Sequence, residues 1–346
     1  MSTFSHIFGQ SEAIHWLTRS YAADRLPHGL IFAGPAGVGK ATTARAMGKL
    51  FLCQAVTGIE ACGNCESCHL IDAGNHPDYH VVTKELIRFH DKTGKSKGIS
   101  LSIDVVRPEL IEPAGRKAVM GRGKVFVVEQ ADLMTAQAQN SLLKTLEEPA
   151  GRTLIMLLTD QPDALLQTIR SRSQMVRFAA LDQAISAKEL VRRGVDANLA
   201  RKAASYANGS LGVSLKWIED GVIEKADELS AMINTLFTGR PPDDLPAWLK
   251  ASSDAYAKKQ VERDPLGSED QARREGIGLY LHLAGEVCRR RMAQVADGDT
   301  INEDALEQAC AVVDALQRAE TFLDANVNVS LVFQQLAVTL DRAARV

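Results

Sequence analysis

The sequence predicts an α/β domain built on a parallel sheet, followed by a part of the chain that is helical throughout. Almost wholly apolar segments alternate with helical patterns, as is typical of parallel strands buried on both faces. These segments cover residues 30–33, 124–128, 153–159 and 175–178. Strand patterns cease beyond about residue 181, and amphipathic helical patterns take their place. The helical patterns cover residues 184–193, 197–206, 211–220, 223–238, 245–258, 270–296, 303–323 and 331–346.

This change of pattern predicts three domains. Residues 1–180 carry the sheet, residues 181–222 form a small helical domain, and residues 223–346 form a larger all-helical domain. A helix over residues 136–146 separates the second and third apolar segments, and Pro149 ends it.

Weaker patterns lie between the first two apolar segments. Residues 79–83 predict a short strand, and the polar stretch over residues 84–98 predicts a loop or an extended hairpin. Residues 103–110 have weak helical spacing. We expect Pro108 to interrupt that helix and Pro113 to end it.

The composition is that of an ordinary globular protein. The chain has 346 residues, of which 45% are hydrophobic and 24% charged. It contains no run of 18 apolar residues and no signal-peptide pattern, so we expect a cytoplasmic location. The net charge of −3 is spread along the chain, which argues against strong binding of nucleic acid by this chain alone.

A glycine-rich loop over residues 34–40 joins the first apolar segment to a helix. Glycines let backbone N–H groups turn inward around phosphate oxygens, and a helix N-terminus adds a favourable dipole. We therefore expect a nucleotide site, with Lys40 reaching the β- and γ-phosphates. Its predicted contacts are Gly34, Gly37, Gly39 and Lys40. The alternative is a glycine-rich turn that only connects a strand to a helix.

The residue after this lysine departs from the phosphate-loop pattern. The pattern requires Ser or Thr, whose hydroxyl holds Mg²⁺, and this chain has Ala41. Thr42 stays a candidate contact, although the next helical residue is turned by about 100° around the axis. ATP or ADP is therefore a candidate ligand, whereas the sequence argues against bound Mg²⁺.

Four of the six cysteines fall in one short segment. In a cytoplasmic chain their spacing favours tetrahedral Zn²⁺ over disulfides. A closed shell of four thiolates leaves no position for water, so this metal would be structural. A redox pair or unligated cysteines are the alternatives, and His69 is a further candidate ligand. The predicted zinc ligands are Cys53, Cys62, Cys65 and Cys68.

Several stretches together resemble the clamp-loader branch of the AAA+ ATPases. The most specific are Asn140-Ser141-Leu142-Leu143-Lys144-Thr145-Leu146-Glu147-Glu148-Pro149 and Thr168-Ile169-Arg170-Ser171-Arg172-Ser173. The others are residues 6–10, residues 25–29 and a four-cysteine knuckle placed after the phosphate-loop helix. The resemblance covers residues 1 to about 225. It implies an AAA+ P-loop domain with a zinc knuckle insertion, a small helical lid domain and an all-α collar domain for oligomerisation.

The resemblance also assigns roles in nucleotide chemistry. Ile7 falls in the box whose backbone frames the adenine, Glu129 stands where an acid acts on Mg²⁺ through water, and Thr159 stands at a sensor position. The acid that would activate the attacking water is replaced by Gln130, an amide that cannot accept a proton. The arginine expected in the helical-domain sensor is replaced by Gly212. We therefore expect this chain's own ATPase to be defective.

One arginine of the family's pattern is retained. Arg172 matches the arginine that enters a neighbouring subunit's ATP site as an arginine finger, although the next residue is Ser173 where the family has cysteine. A guanidinium there stabilises charge on the transferred phosphoryl group. Arg170 is a weaker candidate for this role. The alternative is that Arg172 forms a structural ion pair.

Two features favour one group within this branch, the non-motor delta-prime subunits of DNA polymerase III, over the tau/gamma motors. Residues 73–79 are similar to the delta-prime sequences, and the ATPase motifs lack several of their expected residues. The resemblance implies a hetero-oligomer with tau/gamma and delta subunits, which acts on the sliding clamp and primed DNA during replication. These subunits are catalogued with DNA-directed DNA polymerase, but nothing in this chain has polymerase chemistry. The alternatives are an active tau/gamma-type ATPase and a zinc-bearing adaptor without a nucleotide role.

Overall fold

A computed structural model describes most of the chain. The described residues are 4–90, 99–237, 244–264, 267–296, 303–325 and 327–343. The chain divides into two compact units. The first consists of Met1–Ser186 with Asn208–Val213, and the second of Ala187–Ala207 with Ser214–Val346. The division into three domains at residues 180 and 222 stays a prediction.

The first unit contains a five-stranded sheet in which every neighbouring pair is parallel. The spatial order is β2-β3-β4-β1-β5, so β1 lies between β4 and β5. This confirms the predicted α/β class and all five predicted strands. The strands are β1 (Gly29–Ala33), β2 (Tyr79–Val82), β3 (Lys124–Val128), β4 (Thr153–Thr159) and β5 (Gln174–Arg177).

Strand β1 explains why the apolar runs are nearly continuous. Its side chains alternate between two cores: Leu30 and Phe32 pack on one face of the sheet, and Ile31 and Ala33 pack on the other. All residues of β1, β3 and β4 are buried, whereas the edge strands β2 and β5 are partly exposed. A central strand covered on both faces must be apolar at every position.

Helices and short turns connect and cover the strands. The α-helices as far as the unit boundary are α1 (Ser11–Ala22), α2 (Lys40–Leu52), α3 (Glu66–Asp72), α4 (Ile87–His90), α5 (Ile103–Val106), α6 (Glu112–Ala114), α7 (Ala136–Glu147), α8 (Gln167–Arg170) and α9 (Gln183–Arg192). The 3₁₀ turns are Lys84–Leu86, Ala131–Leu133 and Pro162–Ala164.

The two predictions about prolines after residue 103 have different outcomes. The helix continues through Pro108, where it changes from α to π geometry, but it ends at Ala114, one residue after Pro113. Helix α5, a π-helical turn over Arg107–Ile111 and helix α6 follow one another directly. Pro108 and Pro113 have helical residues on both sides, so each lacks a backbone N–H inside a continuous helix, and the helix is distorted there into a π-helical turn.

The predicted loop over residues 84–98 is partly helical. Its first seven residues form the turn Lys84–Leu86 and helix α4. Residues 91–98 lie outside the described residues.

The described part of the second unit contains helices and no strand, as predicted. Gly276 allows a close approach between two of its long helices, because a Cβ there would lie 3.0 Å from Cδ1 of Tyr256. The Trp248 ring meets the Tyr280 ring edge to face, with centroids 5.2 Å apart. The remaining helices are α10 (Ala197–Tyr206), α11 (Leu211–Asp220), α12 (Val222–Leu236), α13 (Leu245–Arg263), α14 (Glu269–Ala296), α15 (Glu303–Asp324) and α16 (Val329–Ala343). Among the helices described, none has the length and apolarity needed to cross a bilayer.

Candidate functional site

The glycine-rich loop lies at the carboxyl edge of the sheet, directly after β1. Gly37 and Gly39 have φ values of +72° and +102°, which side chains with a Cβ rarely adopt, and helix α2 begins at Lys40. The N–H of Gly34 donates to the carbonyl oxygen of Thr159 at the end of β4, 3.1 Å away. The local geometry is therefore the strand, loop and helix that the phosphate-loop pattern requires.

The Lys40 side chain is engaged by the loop itself. Its Nζ donates to the carbonyl oxygens of Gly34 and Pro35, at 2.5 and 2.8 Å. Burial lowers the pKa of the Lys40 ammonium, while the charges of Asp160 and Asp132 act in the opposite direction. A phosphate group would have to draw this ammonium away from the two carbonyl oxygens.

The segment over residues 208–213, a turn followed by the first residues of helix α11, packs directly against the loop. The N–H of Gly212 donates to the Gly37 carbonyl oxygen at 2.9 Å, and the Ser210 hydroxyl donates to the Ala36 carbonyl oxygen at 2.7 Å. A Cβ at Gly212 would lie 2.6 Å from that same Gly37 oxygen. Glycine at position 212, where the family resemblance predicts an arginine, therefore permits this close contact.

The residues of the acidic motif follow β3. The backbone N–H of Glu129 donates to the Val82 carbonyl oxygen at 3.0 Å, and burial raises the pKa of its carboxyl group, with a further contribution from Glu85. Gln130 is exposed and has a φ of +50°. The structure thus places the half-buried carboxyl group of Glu129 and the amide of Gln130 at the carboxyl ends of the strands, where the glycine-rich loop also lies.

Thr159 has a partner that the sequence did not reveal. Its hydroxyl donates to Oδ1 of Asp132 at 2.7 Å and accepts the N–H of Gln161 at 3.0 Å. Asp132 also contributes to the field around Lys40. Asp132 lies three residues after Glu129, and this spacing could have identified it as a candidate. Its contact with Thr159 in β4 could not be predicted, because the two residues lie far apart in the sequence.

The N-terminal box also reaches the loop. A Cβ on Gly39 would lie 3.7 Å from Cγ2 of Ile7. The buried side-chain amide of Gln10 donates to the carbonyl oxygens of Val38, at 3.1 Å, and Ala179, at 2.7 Å. Gln10 therefore ties the box to the loop and to the segment after β5, a role that sequence reasoning missed.

The two threonines of helix α2 differ in exposure. Thr42 is exposed, whereas Thr43 is buried and its hydroxyl donates to the Gly39 carbonyl oxygen at 2.9 Å. The Thr43 hydroxyl is thereby committed to the helix.

The four cysteines of the predicted zinc module come together after helix α2. Their Sγ atoms all lie within 4.8 Å of one another, and all four are free thiols. The N–H of Cys62 donates to the Cys53 sulfur at 3.2 Å, and the N–H of Cys68 donates to the Cys65 sulfur at 3.5 Å. Four converging sulfurs fit the tetrahedral shell of a structural Zn²⁺ ion. This group of metal-ligand atoms does not include the exposed His69.

Side chains satisfy the last carbonyl groups at the end of helix α2, next to the cysteine cluster. Arg152 donates to the Phe51 oxygen at 2.8 Å, and the Ser67 hydroxyl donates to the Leu52 oxygen at 2.9 Å. The Arg122 guanidinium donates through Nε and a terminal nitrogen to the Cys53 oxygen, at 3.1 and 2.7 Å. The end of helix α2 and the cluster are therefore tied to the segments that lead into β3 and β4.

Arg172 lies at the amino ends of the parallel strands, whereas Lys40 lies beyond the carboxyl end of β1. Arg172 stands two residues before Gln174, the first residue of β5, which pairs with Leu30 near the start of β1. From Leu30, strand β1 runs on to the loop at about 3.3 Å per residue. This length separates Arg172 from the loop by about 10 Å or more. Arg172 is therefore not positioned to serve the loop of its own chain.

The Arg172 side chain is 37% exposed. Its Nε donates to Oε1 of Glu147 at 2.5 Å, and one terminal nitrogen donates to the Thr168 carbonyl oxygen at 3.2 Å and to the Ser171 hydroxyl at 3.3 Å. The predicted ion pair is therefore present, and an exposed pair of this kind does not exclude a second role.

The fold and site define a protein with a P-loop-type α/β domain joined to a helical part. A family model described as DNA polymerase III, delta subunit matches residues 9–182, half of the chain. The delta-prime subunit of Bacillus subtilis DNA polymerase III is 35% identical over 199 residues, covering 58% of this chain and 56% of the relative. The chain belongs to the family of DNA polymerase III delta-prime clamp-loader subunits, which confirms the resemblance described above.

Other relatives extend this finding. The Escherichia coli delta-prime subunit is 39% identical over 159 residues, covering 46% of this chain and 44% of the relative. The tau/gamma subunit of Haemophilus influenzae is 32% identical over 302 residues, covering 85% of this chain and 41% of the relative. The chain thus spans about half the length of the curated relatives it matches.

A comparison with solved structures finds a gamma subunit-related protein from Thermotoga maritima that is 16% identical. The match covers 96% of this chain and 100% of the Thermotoga protein. Its TM-score is 0.42, too low to establish a shared fold.

Proposed function

We propose that this chain is a non-motor subunit of the DNA polymerase III clamp loader. It supplies Arg172 in trans to the ATP site of a neighbouring tau/gamma subunit, where hydrolysis drives loading of the sliding clamp on primed DNA. Its partners are the tau/gamma and delta subunits, and its C-terminal helices serve as an oligomerisation collar. The names of the relatives support a place in this complex.

The observation that carries the proposal is the separation of the two halves of an ATPase site. Arg172 is retained and partly exposed at the amino edge of the sheet. At the carboxyl edge, the loop has Ala41 in place of the Mg²⁺ ligand and is covered by the Ser210 and Gly212 contacts. A chain with this arrangement can supply its arginine to the ATP site of a neighbouring subunit more readily than to its own loop.

Zinc in this proposal is structural, held by the four cysteines. ATP or ADP at the loop would be a structural ligand or a vestige, contacted by the residues named above, including Thr42, Glu129 and Thr159. A second candidate function, an active tau/gamma-type ATPase, is supported by the intact glycines and Lys40. It is opposed by Ala41, Gln130 and Gly212.

The test is ATP hydrolysis, stimulated by clamp and primed DNA, by a loader reconstituted with the wild-type chain or with Arg172→Ala. An arginine finger contributes about 10³–10⁵-fold at the site it enters, so we expect a large loss of stimulated turnover. Arg116→Ala is the matched control, since Arg116 also forms a surface ion pair, at 3.9 Å from Glu112, and is not a candidate for the finger. Both variants must assemble like the wild type. Turnover that is unchanged with Arg172→Ala would remove the finger role.

A further inference from the structure

We infer that Glu147 is the positioning residue for Arg172, fixing the guanidinium in the orientation in which it is presented to a neighbouring subunit. The inference rests on the function proposed above and adds a residue to it. It comes from the contact between the last residue of helix α7 and the segment that precedes β5.

The contact with Glu147 is the shortest that the Arg172 side chain makes. Oε1 of Glu147 lies 2.5 Å from Nε, whereas the contacts of the terminal nitrogen with Thr168 and Ser171 measure 3.2 and 3.3 Å. Hydrogen bonds between ionised groups are shorter and about twice as strong as neutral ones. Glu147 is therefore the main constraint on the direction of the guanidinium.

The nitrogen that Glu147 engages leaves the outer end of the guanidinium available. Nε lies on the stem side of the group, while the two terminal nitrogens form the edge that meets phosphate oxygens in pairs. Among the described residues, one of these terminal nitrogens has only the two longer contacts, and no contact is recorded for the other. The carboxylate thus orients the group without covering the edge that would bind an anion.

Backbone hydrogen bonds and close contacts hold the chain at both residues of the pair. Glu147 follows Leu146, which is 1% exposed and whose carbonyl oxygen accepts a hydrogen bond from Nε2 of His28 at 2.5 Å. The N–H of Arg172 donates to the Ile169 carbonyl oxygen at 3.1 Å, and a Cβ on Gly29 would lie 3.3 Å from the Arg172 carbonyl oxygen. Because both backbones are fixed, the ion pair selects one side-chain orientation, as preorganised catalysis requires.

The location of Glu147 argues against a purely stabilising role. It is the C-terminal residue of α7, where the helix dipole disfavours a negative charge. Glu148 follows it and is also exposed, without a recorded side-chain contact among the described residues. Glu148 therefore offers a control with the same charge at nearly the same place.

The experiment uses the reconstituted loader with Glu147→Ala, Arg172→Ala, the double variant and Glu148→Ala. With intact assembly, Glu147→Ala should lower the kcat of clamp- and DNA-stimulated hydrolysis about 5- to 50-fold, with the KM for ATP nearly unchanged. Glu147→Gln, which keeps a hydrogen-bond acceptor, should recover part of the loss. Glu148→Ala should behave as the wild type.

The double variant separates positioning from an independent effect. If Glu147 acts through Arg172, then Glu147→Ala should cause no further loss when Arg172 is already alanine. Losses that multiply, or a Glu147→Ala loader that matches the Glu148→Ala loader, would overturn the inference while leaving the arginine finger in place. An Arg172→Ala loader with full activity would overturn both proposals.

Discussion

The backbone N–H of Gly212 donates to the carbonyl oxygen of Gly37 at 2.9 Å, joining the segment over residues 208–213 to the centre of the phosphate loop. The contact is backbone to backbone, and it is possible because neither residue carries a Cβ. A Cβ at Gly37 would lie 2.5 Å from the Ser210 hydroxyl oxygen, and one at Gly212 would lie 2.6 Å from the Gly37 carbonyl oxygen. The loop is thus held by its own chain at the point where a nucleotide phosphate would be cradled.

Gly212→Ala tests this contact directly. The new methyl group would overlap the Gly37 carbonyl oxygen, so we expect the free energy of unfolding to fall by about 1–3 kcal/mol, measured by urea denaturation. Gly278→Ala is the control, because that helical position is open to a Cβ, with no atom within 4 Å. It should gain about 0.5–1 kcal/mol. Equal effects of the two substitutions would contradict the close contact.

Nucleotide should stabilise this chain only weakly. Binding has to displace the contacts of Lys40 with Gly34 and Pro35, and it competes with the segment over residues 208–213 on the loop. We expect a Kd of about 1 mM or weaker, so that 1 mM ATP with Mg²⁺ adds no more than about 0.4 kcal/mol. Differential scanning fluorimetry measures the resulting Tm shift, with a tau/gamma subunit as positive control. A shift of several degrees would mean that the loop opens readily.

The cysteine cluster should hold one zinc ion per chain, as measured by atomic absorption. Cys65→Ser removes one of the four converging sulfurs and should abolish stoichiometric zinc and lower the Tm. Chelation of the wild-type chain should lower its Tm in the same way. Cys310→Ser is the control, since Cys310 is exposed and outside the cluster. Full zinc content in the Cys65 variant would exclude this coordination.

Arg122 should stabilise the junction between helix α2 and the cysteine cluster. Its two hydrogen bonds to the Cys53 carbonyl oxygen join a charged donor to a helix-end acceptor. Arg122→Ala should therefore lower the free energy of unfolding by about 1.5–3 kcal/mol. Arg122→Lys, which can keep one bond, should have an intermediate effect. Lys117→Ala, at an exposed position nearby in sequence, should change stability by no more than about 0.5 kcal/mol.

Replacement of Ser173 by alanine should raise the stability of the protein. Its hydroxyl is buried without a hydrogen-bond partner among the described residues, and burying an unpaired hydroxyl costs about 1–3 kcal/mol. Ser173→Ala removes that group, so we expect a higher Tm. The loader's ATP turnover should be unchanged, because the Arg172 contacts do not involve this hydroxyl. A lower Tm would indicate that the hydroxyl has a partner.

The sheet was predictable because its signals are local. Runs such as Leu154–Leu158 within β4 are apolar at every residue, and burial on both faces of the sheet requires this pattern. The convergence of the four cysteines was predictable for the same reason, since they lie within 16 residues. The loop geometry followed from glycine spacing.

Contacts between distant segments were not predictable. Gln10 bonds to Ala179, Arg122 to Cys53, and Asp132 to Thr159, and no residue pattern marks these partners. The continuation of the helix through Pro108 was not predicted for another reason. Proline was treated as a helix breaker, whereas the helix changes from α to π geometry at Arg107 and continues.

The fit between Gly212 and Gly37 limits what position 212 can hold. An arginine there would have to separate two packed backbones, because even one added carbon would meet the Gly37 oxygen at 2.6 Å. A single substitution to arginine at position 212 would therefore lower the stability of the fold while Ala41 and Gln130 stayed as they are.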